Sequence, residues 1–144
     1  MKNFVQILHK RIPKTEQSID TRIANIKLLD TGIVYLKYRE GDYLKVDPED
    51  LLENAMSIRK LSSGKIVPAM IDTRNIKHLN FTKEAREFAS SERVKEFKKA
   101  NAVLVDSYFN RLSANIYLSF NKPAIPTRLF NNDSDALKWL TFFI

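Results

Sequence analysis

The feature that most constrains this chain is a change of hydrophobic period at Asp47. Before it, apolar residues recur at every second position. Ala24, Ile26 and Leu28 alternate with Asn25 and Lys27, then Val34, Leu36 and Tyr38 alternate with Tyr35, Lys37 and Arg39. A period of two sends one side-chain set to a core and the other to water, the pattern of an antiparallel sheet with one wet face. Asp30-Thr31-Gly32 and Gly41-Asp42 supply tight turns, and Tyr43 to Val46 completes a three-stranded meander.

From Asp47 onward the period is helical, then alternates between helix and strand. Asp47 is a good N-cap, Pro48 suits the first helical position, and Glu49 and Asp50 complement the positive end of the dipole. Leu52, Ala55 and Met56, with Leu51 and Ile58 alongside, predict an apolar stripe running to about Leu61, where Ser62-Ser63-Gly64 ends the helix. Ile66 to Asp72 is a continuous apolar run, as in a strand buried on both faces. Pro68 inside it points to an edge position or a missing ladder bond.

Asn80 or Thr82 then opens a second helix with Ala85, Phe88 and Ala89 inward, broken at Ser90-Ser91-Glu92 and continued by Val94 and Phe97. Ala102 to Asp106 is a further buried strand, and Asp106-Ser107 caps a third helix carrying Phe109, Leu112, Ile116 and Phe120. Thr127 to Phe130 is a last strand, followed by a helix capped by Asp133 or Ser134 with Ala136, Leu137, Leu140 and Phe143 inward. Strands separated by helices pair in parallel through right-handed crossovers. The expected fold class is α/β: a small mixed sheet, antiparallel at its N-terminal meander and parallel in its second half, covered by about four helices. Residues 1–19 are expected to form an N-terminal extension to a single domain over 20–144.

Composition narrows the function classes. With 144 residues, 44% apolar and 28% charged, the chain suits one ordinary globular domain. No apolar run approaches the roughly 20 residues of a membrane-spanning helix. The formal net charge of +7 could draw a protein to nucleic acid. However, Lys83, Arg86, Arg93, Lys95, Lys98 and Lys99 are interleaved with Glu84, Glu87, Glu92 and Glu96, as on a solvated helix face, so nucleic acid is not the expected partner. The absence of cysteine rules out disulfides and thiolate chemistry and fits a reducing cytoplasm. Two histidines, His9 and His78, and three isolated glycines give neither a zinc motif nor a phosphate-cradling loop, so no cofactor and no metal are expected.

Several of these segments together resemble a known family. Asp72-Thr73-Arg74 closing a strand, Ala102-Val103-Leu104-Val105-Asp106-Ser107, then Leu129-Phe130-Asn131 and Asp135-Ala136-Leu137-Lys138-Trp139-Leu140 are similar to the SpoIIAA-like branch of the STAS and Sec14-like superfamily. These are small bacterial α/β domains related to anti-sigma-factor antagonists. The resemblance spans roughly Arg22 to Phe142, and the closing Trp-Leu helix is its most specific element. It implies a SpoIIAA-like fold, and a regulatory or interaction role more than a defined reaction. The antagonists carry a phosphorylatable serine at a helix start in an Asp-Ser-Ser-Gly context. The matching stretch here, Asn80-Phe81-Thr82-Lys83, offers Thr82 as a candidate phosphoacceptor but lacks the flanking acid and the glycine.

In an open α/β sheet, ligands settle at the C-terminal ends of parallel strands. Two strands here end in polar residues, Asp72-Thr73-Arg74 and Asp106-Ser107, so these five are the candidate ligand-binding residues, with Arg74 as a fork donor to an anion. The competing structural reading has Asp106 or Ser107 capping a helix and Arg74 pairing with Asp72 or Asp106. A Ser107, His78 and Asp72 set can be written but has no nucleophile elbow around it, and no catalytic residue is assigned. Tyr108, Tyr117, Trp139, Phe142 and Phe143 cannot all face inward, which predicts a homodimer surface or a hydrophobic ligand groove. The sequence therefore predicts a non-enzymatic, cytoplasmic STAS-like domain acting through a protein partner or self-association. The alternative is a sensor of a small anionic or lipid ligand.

Overall fold

The computed structural model describes residues 17–106, 114 and 121–144. The main sheet has six strands: β1 (Ser18–Asp20), β2 (Ala24–Leu28), β3 (Val34–Tyr38), β5 (Val67–Asp72), β7 (Lys98–Leu104) and β8 (Thr127–Phe130), side by side in that order. β1, β2 and β3 are antiparallel neighbours; β3, β5, β7 and β8 are parallel. This is the mixed sheet expected from the change of period. The meander has a different third member. Tyr43 to Val46 belongs to β4 (Gly41–Val46), which leaves the main sheet and pairs in parallel with β6 (Ile76–Phe81). β6 was not foreseen: Lys77, His78 and Asn80 are polar enough to pass for a connection, and only pairing with β4 makes them a strand. The first strand, Ser18–Asp20, overlaps the end of the expected extension and pairs with β2.

Three α-helices are present among the described residues: α1 (Pro48–Leu61), α2 (Lys83–Ser90) and α3 (Asp133–Leu140). A 3₁₀ turn, Glu92–Glu96, follows α2 with Ser91 at its N-cap, where the sequence shows a break. The expected third helix lies outside the described residues except for Ala114, which is helical. Each helix starts where its capping chemistry lies. The Asp47 N–H donates to the Asp50 carboxylate at 2.9 Å with Pro48 at the first position, a reciprocal arrangement that satisfies helix-end donors. At α3 the cap is Asn132, one residue ahead of the expected Asp133 and two ahead of Ser134; its side chain accepts from the Asp135 N–H at 2.8 Å.

Each face of the sheet carries its own core. Ala24, Ile26, Val34, Leu36, Val67 and Ala69 pack with Ile58 of α1 and Ala85 of α2 on one face. Ile33, Met70, Ala102, Leu104 and Phe130 pack with Ala136 and Leu140 of α3 on the other. Trp139 packs there between Phe130 and Phe143, with ring centroids 5.7 and 4.9 Å away.

Two sequence expectations are corrected by packing. α1 buries Ala55 and Ile58 as expected but does not turn Leu52 and Met56 inward: both are exposed, and Asp50, Asn54 and Ser57 are buried in their place. The helix is rotated because its polar residues have partners. Asn54 accepts from the Thr21 hydroxyl at 2.8 Å, and Asp50 takes both arms of Arg22 at 2.7 and 2.5 Å. Pro68 is not at an edge, since β5 lies in the middle of the sheet. Its missing N–H is absorbed by a bulge: Val67 pairs with Lys98 but Ala69 pairs with Asn101, so β7 carries an extra residue opposite the proline.

Candidate functional site

β5 and β7 are adjacent and parallel, with Asp72 opposite Leu104, so their C-terminal ends share one rim as the sequence predicts. The candidate residues there hold one another. Asp72, only 2% exposed, accepts from the Tyr35 hydroxyl, the Arg74 backbone N–H and both arms of the Arg74 guanidinium at 3.0 Å. The same guanidinium reaches Asp133, at the start of α3, at 2.8 Å. Thr73 donates its hydroxyl to the Leu104 carbonyl at 2.7 Å, tying the ends of β5 and β7 together. Asp106 is exposed beyond the end of β7, and Ser107 lies outside the described residues.

The electrostatics follow from these bonds. Burial acts to raise the Asp72 carboxyl, but the hydrogen bonds from Arg74 and Tyr35 outweigh it and hold the group below its ordinary range. Burial, then the bond to Asp72, pushes the Tyr35 phenol up, and Asp72 raises Arg74. Arg74 thus spends its fork on Asp72, one of the two partners in the structural alternative, and on Asp133, which the sequence does not single out. His78 is exposed on β6 and Asp72 is engaged elsewhere, so no Ser-His-Asp relay is built from them. Thr82 is the N-cap of α2; its hydroxyl accepts from the Ala85 N–H at 3.1 Å, at a helix start as the resemblance requires. No cluster of three or more metal-ligating side chains occurs among the described residues.

An opening lies on the opposite face of the sheet from Arg74. A cavity of about 550 Å³ sits over the centre of the sheet, within the range of small-molecule sites. Its floor is one row of the sheet, Leu36, Ile71, Val103 and Leu129, which the register places side by side. Ala55 and Ile58 of α1, Leu79 and Phe81 of β6, and Phe88 of α2 provide further apolar wall. Two polar side chains from β7, Lys98 and Asn101, interrupt this lining. Burial lowers the Lys98 amine to about 8, and the side-chain oxygen of Asn101 is buried with no hydrogen-bond partner among the described residues. The sequence reading anticipated a hydrophobic groove from surplus aromatics, but named none of these residues. By sequence this strand starts at Ala102 and Lys98 lies on a solvated helix face, whereas β7 begins at Lys98 and carries both polar residues.

A family model covers most of the chain. Residues 27–144 match the model described as Domain of unknown function (DUF7793). The chain belongs to this family. Among solved structures, it is similar to a DUF3478-family protein with a SpoIIAA-like fold from Shewanella loihica PV-4. That pair is 18% identical with a TM-score of 0.51, covering 85% of this chain and 98% of the other. A protein of unknown function from Arthrobacter sp. FB24 also matches at 22% identity, covering 86% of this chain and 97% of that one, with a TM-score of 0.31. No curated protein matches. The first likeness establishes the fold alone: this DUF7793 member has a SpoIIAA-like fold. No helix among its described residues is long and apolar enough to cross a membrane.

Proposed function

We propose that this DUF7793 domain is a non-enzymatic sensor that takes up a small hydrophobic ligand between its main sheet and the α1, α2 and β6 layer, and passes occupancy on through protein contacts in a reducing cytoplasm. The observation carrying the reading is the cavity of about 550 Å³, lined mainly by aliphatic and aromatic side chains. A concave, mainly apolar space of this size with a few polar groups in its wall is where a small ligand is expected to bind. Turnover has little support beside it, because the buried carboxylate at the strand ends is kept ionised by Arg74 and Tyr35 and is poorly suited to proton transfer.

The test uses an uncharged fluorescent probe, N-phenyl-1-naphthylamine. The expected result is saturable binding of one molecule per chain, lost in Val103→Trp, which fills the cavity floor while the far-ultraviolet circular dichroism stays unchanged. Absence of saturable binding by the wild-type protein, or equal binding by the filled variant, refutes the cavity reading.

A second reading, recognition by protein contact alone as a homodimer, draws on Leu52 and Met56. These lie one turn apart on α1 and are 38% and 50% exposed. Light scattering that finds only monomer at high concentration removes that reading.

A further inference from the structure

We propose that the ligand is an aliphatic monocarboxylate, with its chain over the Leu36, Ile71, Val103 and Leu129 floor and its carboxylate held by Lys98 and Asn101. This deepens the cavity reading and rests on it. An apolar cavity alone selects nothing beyond hydrophobicity; of the polar residues in its wall, desolvated Lys98 and unpartnered Asn101 give it a direction. Neither Lys98 nor Asn101 makes a side-chain hydrogen bond or ion pair with another described residue, whereas the basic groups that hold the fold together, Arg22 and Arg74, are both engaged by carboxylates. A desolvated amine without an acidic partner is costly, as is a buried amide oxygen without a donor. The two occur together on one wall of a space large enough for a ligand to satisfy them.

Their meeting is a product of the bulge. In an unbroken strand, residues three apart point to opposite faces. The extra residue opposite Pro68 reverses that parity, so Lys98 and Asn101 both line the same cavity. A carboxylate accepts from the Lys98 ammonium and from the Asn101 amide nitrogen. The latter needs only a half-turn of an amide that has no bond to lose. The pairing supplies the opposite charge that Lys98 lacks. Burial favours the neutral amine, and desolvation is its sole perturbation, with no acidic side chain acting on it. A hydrocarbon tail fits the apolar part of the remaining wall, over the floor and against Ile58, Leu79, Phe81 and Phe88; the other basic side chains there, among the described residues, are Lys77 and His78 of β6.

The experiment displaces N-phenyl-1-naphthylamine with decanoate or decanol at pH 7, both below their micellar concentrations. Decanoate is expected to act at an at least tenfold lower concentration than decanol. In Lys98→Met the ratio of decanoate to decanol needed for half-displacement is expected to be about one, read within that variant against its own probe affinity, and Asn101→Leu is expected to weaken decanoate severalfold. Equal competition by the two in the wild-type protein, or a decanoate preference that survives Lys98→Met, overturns the headgroup assignment while leaving the cavity reading intact. Failure of the probe to bind the wild-type protein overturns both.

Discussion

Asp72 is nearly sealed from water and yet ionised, because Tyr35 and Arg74 together give it four hydrogen bonds. Breaking a buried pair from one side leaves the other charge without its partner, which costs more than the pair contributes. Asp72→Asn keeps the shape and removes the charge, and is expected to lower unfolding stability by about 3 kcal/mol in urea titrations at pH 7. The pH dependence has a definite sign. The folded carboxyl lies below the ordinary 3.8, so its contribution is complete above that value and is lost as pH falls through the folded pKa. The gap between wild type and variant should therefore narrow in acid. The residue itself was legible in the sequence as a strand-end acid beside an arginine. Its phenolic partner was not, because Tyr35 lies two strands' worth of chain away and meets Asp72 only through the parallel pairing of β3 and β5.

At the scale of elements, local chemistry set boundaries well and orientation poorly. Asp47-Pro48, Ser91 and Thr82 mark helix starts because capping needs only a few neighbouring residues. Thr82→Ala removes the acceptor for the Ala85 N–H, and a cost of about 1 kcal/mol is expected, read from denaturant melts. Which face of α1 turns inward was beyond the local pattern. Leu52 and Met56 carry the stronger apolar signal, but Asn54 and Asp50 are buried because Thr21 and Arg22 wait for them across the layer. A polar residue with a distant partner reads from sequence as a surface residue. β6 was missed for a related reason: a parallel pair joins strands far apart in the chain, so no turn between them announces it.

At the scale of the whole molecule, Lys98 couples the fold to its proposed use. Burial takes its amine from 10.5 down to about 8, so between those values the unfolded chain binds more protons than the native one. Stability from this group should therefore rise with pH across that window, with the cost fully present below pH 8. Lys98→Met is expected to be more stable than wild type at pH 7, on the order of 1–2 kcal/mol after allowance for the partial exposure of the residue. That advantage should shrink by pH 10, measured by paired denaturant melts at the two values. A stabilising substitution that removes carboxylate selectivity is the trade expected of a binding residue.

The change of hydrophobic period, the capping residues and the turn glycines determined the α/β class, the antiparallel opening and parallel remainder of the sheet, and the strand end at Asp72. All of these depend on interactions within a few residues, so a single chain displays them. Tertiary structure decided the departure of β4 to join β6, the rotation of α1, the engagement of Arg74 by two carboxylates, and the bulge that turns Lys98 and Asn101 to one wall. Each of these depends on which distant backbone or side chain lies opposite, a matter of three-dimensional register that hydrophobic periodicity along one strand does not carry.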